Sequence, residues 1–128
     1  MSTELRVMLE DKPGSVATVA EALGKAGVNI EAMAGMPTGS GKGDIRLVVA
    51  DGAKAKSALE AAGQKVDRSR EVLVVELADK PGELARTARA LATAGINLDS
   101  VYLIGQSGGR KSIAFGVPDV AKAKAALG

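Results

Sequence analysis

Asp11-Lys12-Pro13-Gly14 recurs as Asp79-Lys80-Pro81-Gly82, 68 positions later, and the repeat decides how the rest of the chain is read. Fifteen residues past each glycine stands an asparagine, Asn29 and Asn97. The asparagines lie in near copies, Ala22-Leu23-Gly24-Lys25-Ala26-Gly27-Val28-Asn29-Ile30 and Ala90-Leu91-Ala92-Thr93-Ala94-Gly95-Ile96-Asn97-Leu98. Laid over one another without a gap, residues 1–60 and 69–128 agree at 24 of 60 positions, which duplication explains. A fixed period sets the architecture before any local signal does. The 128 residues therefore divide into two small units, 1–70 and 71–128, where length alone suggests one domain. Units of that size sit near the lower limit for an independent core and lean on each other or on a second chain.

Around the first turn, Leu5, Val7 and Leu9 alternate with Arg6, Met8 and Glu10, the period of a half-buried strand. Pro13 suits the first turn of a helix, where its missing N–H has no partner to lose. Val16, Val19, Ala20 and Leu23 then recur at helical spacing and predict an inward stripe, which Gly27 stops. Val28 to Met36 reads as a second strand, residues 37–43 as a loop, and Ile45, Leu47 and Val49 mark a third strand. Asp51 is placed to cap a helix from Ala53 to Ala62, ended by Gly63, and Lys65 to Arg70 forms a short fourth strand. The second unit repeats the order. Val72 to Ala78 is a strand, and Pro81 to Ala94 a helix with Leu84, Ala88 and Leu91 inward. Ile96 to Ile104 and Lys111 to Val117 are strands, and Asp119 caps a helix running to Leu127. Strand–helix–strand–strand–helix–strand is the split βαβ, ferredoxin-like pattern. The fold class is α+β: two βαββαβ units, each an antiparallel sheet with helices on one face. The second unit stops where its last strand should begin. An exposed edge invites pairing, so another strand is expected to fill it.

Composition narrows the function. Lys and Arg number 17 against 15 Asp and Glu, interspersed, so a pI near 9.0 reflects a small excess and no basic patch. With Tyr102 and Phe115 as the only aromatics, the stacking platforms of nucleic-acid binders are lacking and no nucleic-acid partner is expected. There is no cysteine and no histidine, which removes disulfides, thiolate chemistry and the commonest general base and metal ligand. Neither a metal nor another cofactor is expected, and the carboxylates and lysines form no convergent catalytic set. Met1 to Glu10 lacks the basic and apolar regions of a signal peptide, and no apolar run reaches the roughly 20 residues that span a bilayer. The expected location is the cytoplasm. Gly39-Ser40-Gly41-Lys42-Gly43 precedes a strand instead of opening a helix, so it reads as a hairpin connection and not as a phosphate cradle.

Asp-x-Pro-Gly before an amphipathic helix, followed by Ala-Gly-(Val/Ile)-Asn-(Ile/Leu), resembles the ACT domain. The resemblance runs through nearly the whole chain, twice, with the final strand of the second copy missing. The family supplies amino-acid-sensing modules of aspartokinases, phosphoglycerate dehydrogenase and the small subunit of acetolactate synthase. It implies a small amino acid bound where two domains meet, against the turn after the first strand and the start of the second strand. Carried over by position, Asp11, Gly14, Asp79 and Gly82 fall on the turns and Asn29 and Asn97 at the second-strand starts. Aspartate occupies the turn position where many ligand-binding members have asparagine or histidine.

The chemistry of these positions fits an amino acid. A helix start offers unpaired N–H groups and a positive dipole end to a carboxylate. Glycine permits close approach. A carboxamide both donates and accepts, and an aspartate pairs with an ammonium. Each position also has a purely structural reading: Asp11 and Asp79 as helix caps, Gly14 and Gly82 as relief of helix–strand packing, Asn29 and Asn97 as partners of local backbone. The expected function is a non-catalytic regulatory protein of two tandem ACT domains, a homodimer, binding a small amino acid at domain interfaces. The alternative is a regulatory subunit that docks on an amino-acid biosynthetic enzyme.

Overall fold

The computed structural model describes residues 1–128, which separate into two compact units, Met1–Arg70 and Glu71–Gly128. Unit 1 runs β1 (Thr3–Glu10), α1 (Ser15–Lys25), β2 (Ile30–Pro37), β3 (Lys42–Val49), α2 (Gly52–Ala61) and β4 (Val66–Glu71). Its sheet has the order β2-β3-β1-β4. The alternation in β1 sets which face is buried: Leu5 lies opposite Leu47 and Val7 opposite Ile45 on antiparallel β3. Those residues pack with Leu9 and Val49 against Val19 and Leu23 of α1 and Ala55 and Leu59 of α2. Both helices therefore cover one face, as the period-two pattern requires.

The edge between β1 and β4 is lined with charge. Glu4 is fully buried and accepts from Arg70 Nε at 2.8 Å, with Arg68 at 3.8 Å. Arg6 spans Asp44 of β3 at 3.1 Å and Asp67 of β4 at 3.3 Å. The Arg6 guanidinium, hydrogen-bonded to the Asp44 carboxyl, holds that carboxyl below the usual carboxylate range.

Unit 2 runs β5 (Leu73–Ala78), α3 (Glu83–Thr93), β6 (Ser100–Ser107), β7 (Arg110–Gly116) and α4 (Val120–Leu127). Its sheet has three strands in the order β5-β7-β6. Phe115, fully buried, centres a core with Leu73, Leu77, Leu91, Ile113 and Ala123. Where β1 has β4 beside it, β5 has no neighbour on its second side. A cleft of about 260 Å³ lies there, walled by Val75, Leu77, Thr87, Ala90 and Leu127.

Val19, Leu23 and Leu91 face inward as expected, and the first-turn members of the expected stripes do not. Val16 and Leu84, matched positions in the first turns of α1 and α3, are 49% and 38% exposed. The inward residues are Val19 and Leu23 in α1 and Thr87 and Leu91 in α3. In alanine-rich helices the apolar arc is wide and its centre is weakly marked. A threonine can take an inward place because its hydroxyl bonds within the helix: Thr87 Oγ1 donates to the Glu83 carbonyl at 3.1 Å.

Candidate functional site

Each turn carries the chain off its first strand and into a helix. The helix begins after the glycine, not at the proline: Ser15 and Glu83 are the first helical residues and Gly14 and Gly82 the caps. The caps have φ of 91° and 88°, in the left-handed region that only glycine enters freely. A Cβ at either place would meet nothing within 4 Å, so backbone conformation, and not relief of helix–strand packing, explains the glycines within the chain. No side chain caps α1 or α3. Capping by Asp11 and Asp79 is thereby excluded. The aspartates that do cap are Asp51, accepting from Lys54 N at 3.1 Å, and Asp119, accepting from Lys122 N at 3.0 Å.

The bareness of α1 and α3 has chemical content. Amides of a first helical turn without a cap are donors at the positive end of a dipole, suited to a carboxylate. Each turn is also fixed to the tip of the neighbouring hairpin. Asp11 N donates to the Gly41 carbonyl at 3.0 Å and Asp79 N to the Gly109 carbonyl at 2.8 Å.

Beyond that shared frame the turns differ. The Asp11 carboxylate is exposed and has no partner in the chain. Asp79 accepts from Gln106 Nε2 at 3.1 Å and has the Lys111 ammonium at 3.9 Å. Gln106 and Lys111 are a cross-strand pair of β6 and β7, brought together by the two-residue turn Gly108-Gly109, both at positive φ. Their counterparts at the 68-residue offset are Thr38, bonded within its own loop to Ser40 and the Lys42 carbonyl, and Gly43. The first turn of α3 contains Glu83, held by Arg86 at 2.7 Å and Lys80 at 3.9 Å, where α1 has Ser15 and no acid. The Arg86 guanidinium holds the Glu83 carboxyl below the usual carboxylate range.

Asn29 and Asn97 are exposed, and neither carboxamide bonds to the chain. They do not meet the turns of their own units. Ile30 lies level with Val49, which pairs with Thr3 at the start of β1, whereas Lys42 pairs with Glu10 at its end. Seven strand steps at about 3.3 Å each separate the two levels by roughly 23 Å. Unit 2 is built the same way, with Ser100 opposite Gly116 and Ala78 opposite Arg110. Asp11 and Gly14 stand at one end of the sheet and Asn29 at the other, as do Asp79 and Gly82 relative to Asn97. Beside Asn29 lies a cleft of about 340 Å³ whose polar lining is Glu31, Asp51 and Lys54. Lys54, Gln106, Glu83 and Lys111 belong to no motif in the sequence. The last two could have been noticed as places where the copies differ in charge.

The sequence pattern of the ACT domain matches residues 3–66, half of the chain. The chain belongs to the ACT-domain family. Among solved structures the ACT chain is similar to a protein from Bacteroides thetaiotaomicron, with TM-score 0.86 and 24% identity over 98% of this chain and 85% of that one. It is similar also to the regulatory subunit of aspartate kinase from Thermus thermophilus, in its ligand-free form, with TM-score 0.74 and 23% identity, covering 98% and 87%. The regulatory subunit of aspartate kinase from Thermus flavus gives TM-score 0.71 at 23% identity, covering 98% and 88%. These likenesses carry the fold. No curated protein sequence matches the chain. No helix is long and apolar enough to cross a membrane.

Proposed function

We propose that the protein is a non-catalytic regulatory module of two tandem ACT domains, residues 1–70 and 71–128, that binds a small amino acid where two such domains meet. The observation that carries this reading is the turn of unit 1: α1 starts without a side-chain cap, and Asp11, three residues before the cap, is exposed and paired with no side chain. One half suits a carboxylate and the other an ammonium, the two charges of an amino acid. Because Asn29 lies at the far end of its own sheet, the site takes its turn from one domain and its asparagine from another, supplied by the second copy in a homodimer. Gly14, Gly82, Asp79 and Asn97 are the corresponding positions. No cofactor is involved, and the location is cytoplasmic.

The likeness in fold to aspartate kinase regulatory subunits supports a second reading, in which the protein docks on an amino-acid biosynthetic enzyme. A stoichiometric enzyme recovered with the protein from its host supports docking, and its absence favours the stand-alone module.

A thermal-shift screen against each standard amino acid tests the binding itself. An amino acid at a hundredfold its Kd stabilises by about 2.7 kcal/mol. No response to any of them overturns the reading.

A further inference from the structure

The two turns share a sequence but not an electrostatic state. In unit 2 both charges of an amino acid are already represented by the chain. The Lys111 ammonium and the Gln106 amide occupy Asp79, at 3.9 and 3.1 Å. The Glu83 carboxylate sits in the first turn of α3, and its charge is secured by Arg86 at 2.7 Å. An incoming ammonium finds its acceptor taken, and an incoming carboxylate finds the neighbouring cations Arg86 and Lys80 already paired with Glu83. In unit 1 Gly43 stands in the lysine's place with Pro37 across from it, the Thr38 hydroxyl is turned into its own loop, and Ser15 replaces the acid.

We infer that the turn of unit 1 alone receives an amino acid, and that the turn of unit 2 is held shut by Lys111, Gln106 and Glu83 acting as a built-in substitute. The inference rests on the amino-acid reading above and adds which copy binds and what silences the other. The hairpins bring the difference about. Both tips are tied to their turns by one backbone hydrogen bond, Asp11 N to Gly41 and Asp79 N to Gly109. The tight Gly108-Gly109 turn projects a Gln106–Lys111 pair toward Asp79, whereas the longer loop of unit 1 has Gly43 in the lysine's place. The ACT pattern itself is matched over unit 1.

The test follows the backbone amide signals of Gly14 and Gly82 by NMR while each standard amino acid is added to the full chain. In the wild type the Gly14 signal shifts and the Gly82 signal does not. The variant Gln106→Ala/Lys111→Ala/Glu83→Ser makes Gly82 respond as well, doubling the amino acid bound per chain. The reverse variant, Gly43→Lys, abolishes the response at Gly14. It is sterically tolerated, because a Cβ at Gly43 meets nothing within 4 Å and its φ lies outside the left-handed region. If both turns respond in the wild type, or Gly82 stays silent in the opened variant while Gly14 responds, the inference is overturned and the amino-acid reading stands. If neither turn responds in any variant to any amino acid, both fall together.

Discussion

In unit 1 the strand that leads into the turn is an inner strand, flanked by β3 and β4, while in unit 2 its counterpart β5 is an edge. The difference reaches the side chains. Glu4, which receives Arg70, and Arg6, which spans Asp44 and Asp67, are replaced at the 68-residue offset by Val72 and Val74. Charge bridges β1 to β4 in unit 1, whereas the matched valines of unit 2 carry none, Val72 buried and Val74 exposed. The positions where the copies agree are those that bend the chain and fill the core: Gly14 and Gly82, Leu5 and Leu73, Leu23 and Leu91, Asp51 and Asp119. The positions where they disagree include those that set charge around the turns and along the first strand. Duplication has kept the scaffold and released the electrostatics.

Four measurements sharpen or break that contrast. The largest effect is expected in the cores. Phe115→Ala should cost about 3–5 kcal/mol in chemical denaturation, and Leu47→Ala, its counterpart in unit 1, about 2–5 kcal/mol. A small loss for Phe115→Ala would mean that unit 2 contributes little to the measured transition. Next come the turns. Gly14→Ala and Gly82→Ala should each cost about 1–2 kcal/mol through φ alone, equally in the two units, since neither Cβ meets an obstacle. Unequal losses would show that the turns differ in backbone as well as in charge. The caps follow. Asp51→Ala and Asp119→Ala should each cost about 1 kcal/mol, whereas Asp11→Ala should leave stability unchanged, because Asp11 caps nothing.

The smallest effect is electrostatic and confined to unit 1. Asp44 has a folded pKa below its ordinary value, with Arg6 as the main cause. Its contribution is therefore fully present above the unfolded value of about 3.9 and is lost as pH falls through the lower folded value. Asp44→Asn should cost about 1 kcal/mol or less at neutral pH, and the difference from wild type should vanish in acid. The equivalent residue in unit 2 is Ser112, so Ser112→Ala should show no such pH dependence. Urea titrations across pH check both.

Much of this was legible in the residues. The order of elements, the ferredoxin-like sheet, the caps at Asp51 and Asp119 and the glycine stops follow from period, composition and repeat. The helix starts were less so. Pro13 suggested the first helical turn, but the left-handed Gly14 intervenes and shifts the start to Ser15. Asp11 has the chemistry of a cap without the geometry, because sequence proximity does not fix where a carboxylate points. The site was read as one constellation of Asp11, Gly14 and Asn29. The antiparallel return through α1 puts the asparagine a full strand length away, a separation no local motif discloses. The Gln106–Lys111 pair depends on β6–β7 register, set by the two glycines of the turn, and reaches Asp79 only in three dimensions.

Gly14 and Gly82 hold the cap position in a left-handed backbone that almost every residue with a side-chain oxygen avoids. The bend and the uncovered amides are thus a single constraint, and drift cannot plug one without unmaking the other. Asparagine is the exception, since it tolerates left-handed backbone and carries an acceptor. A Gly14→Asn chain is therefore expected to keep the bend at less cost than Gly14→Ala.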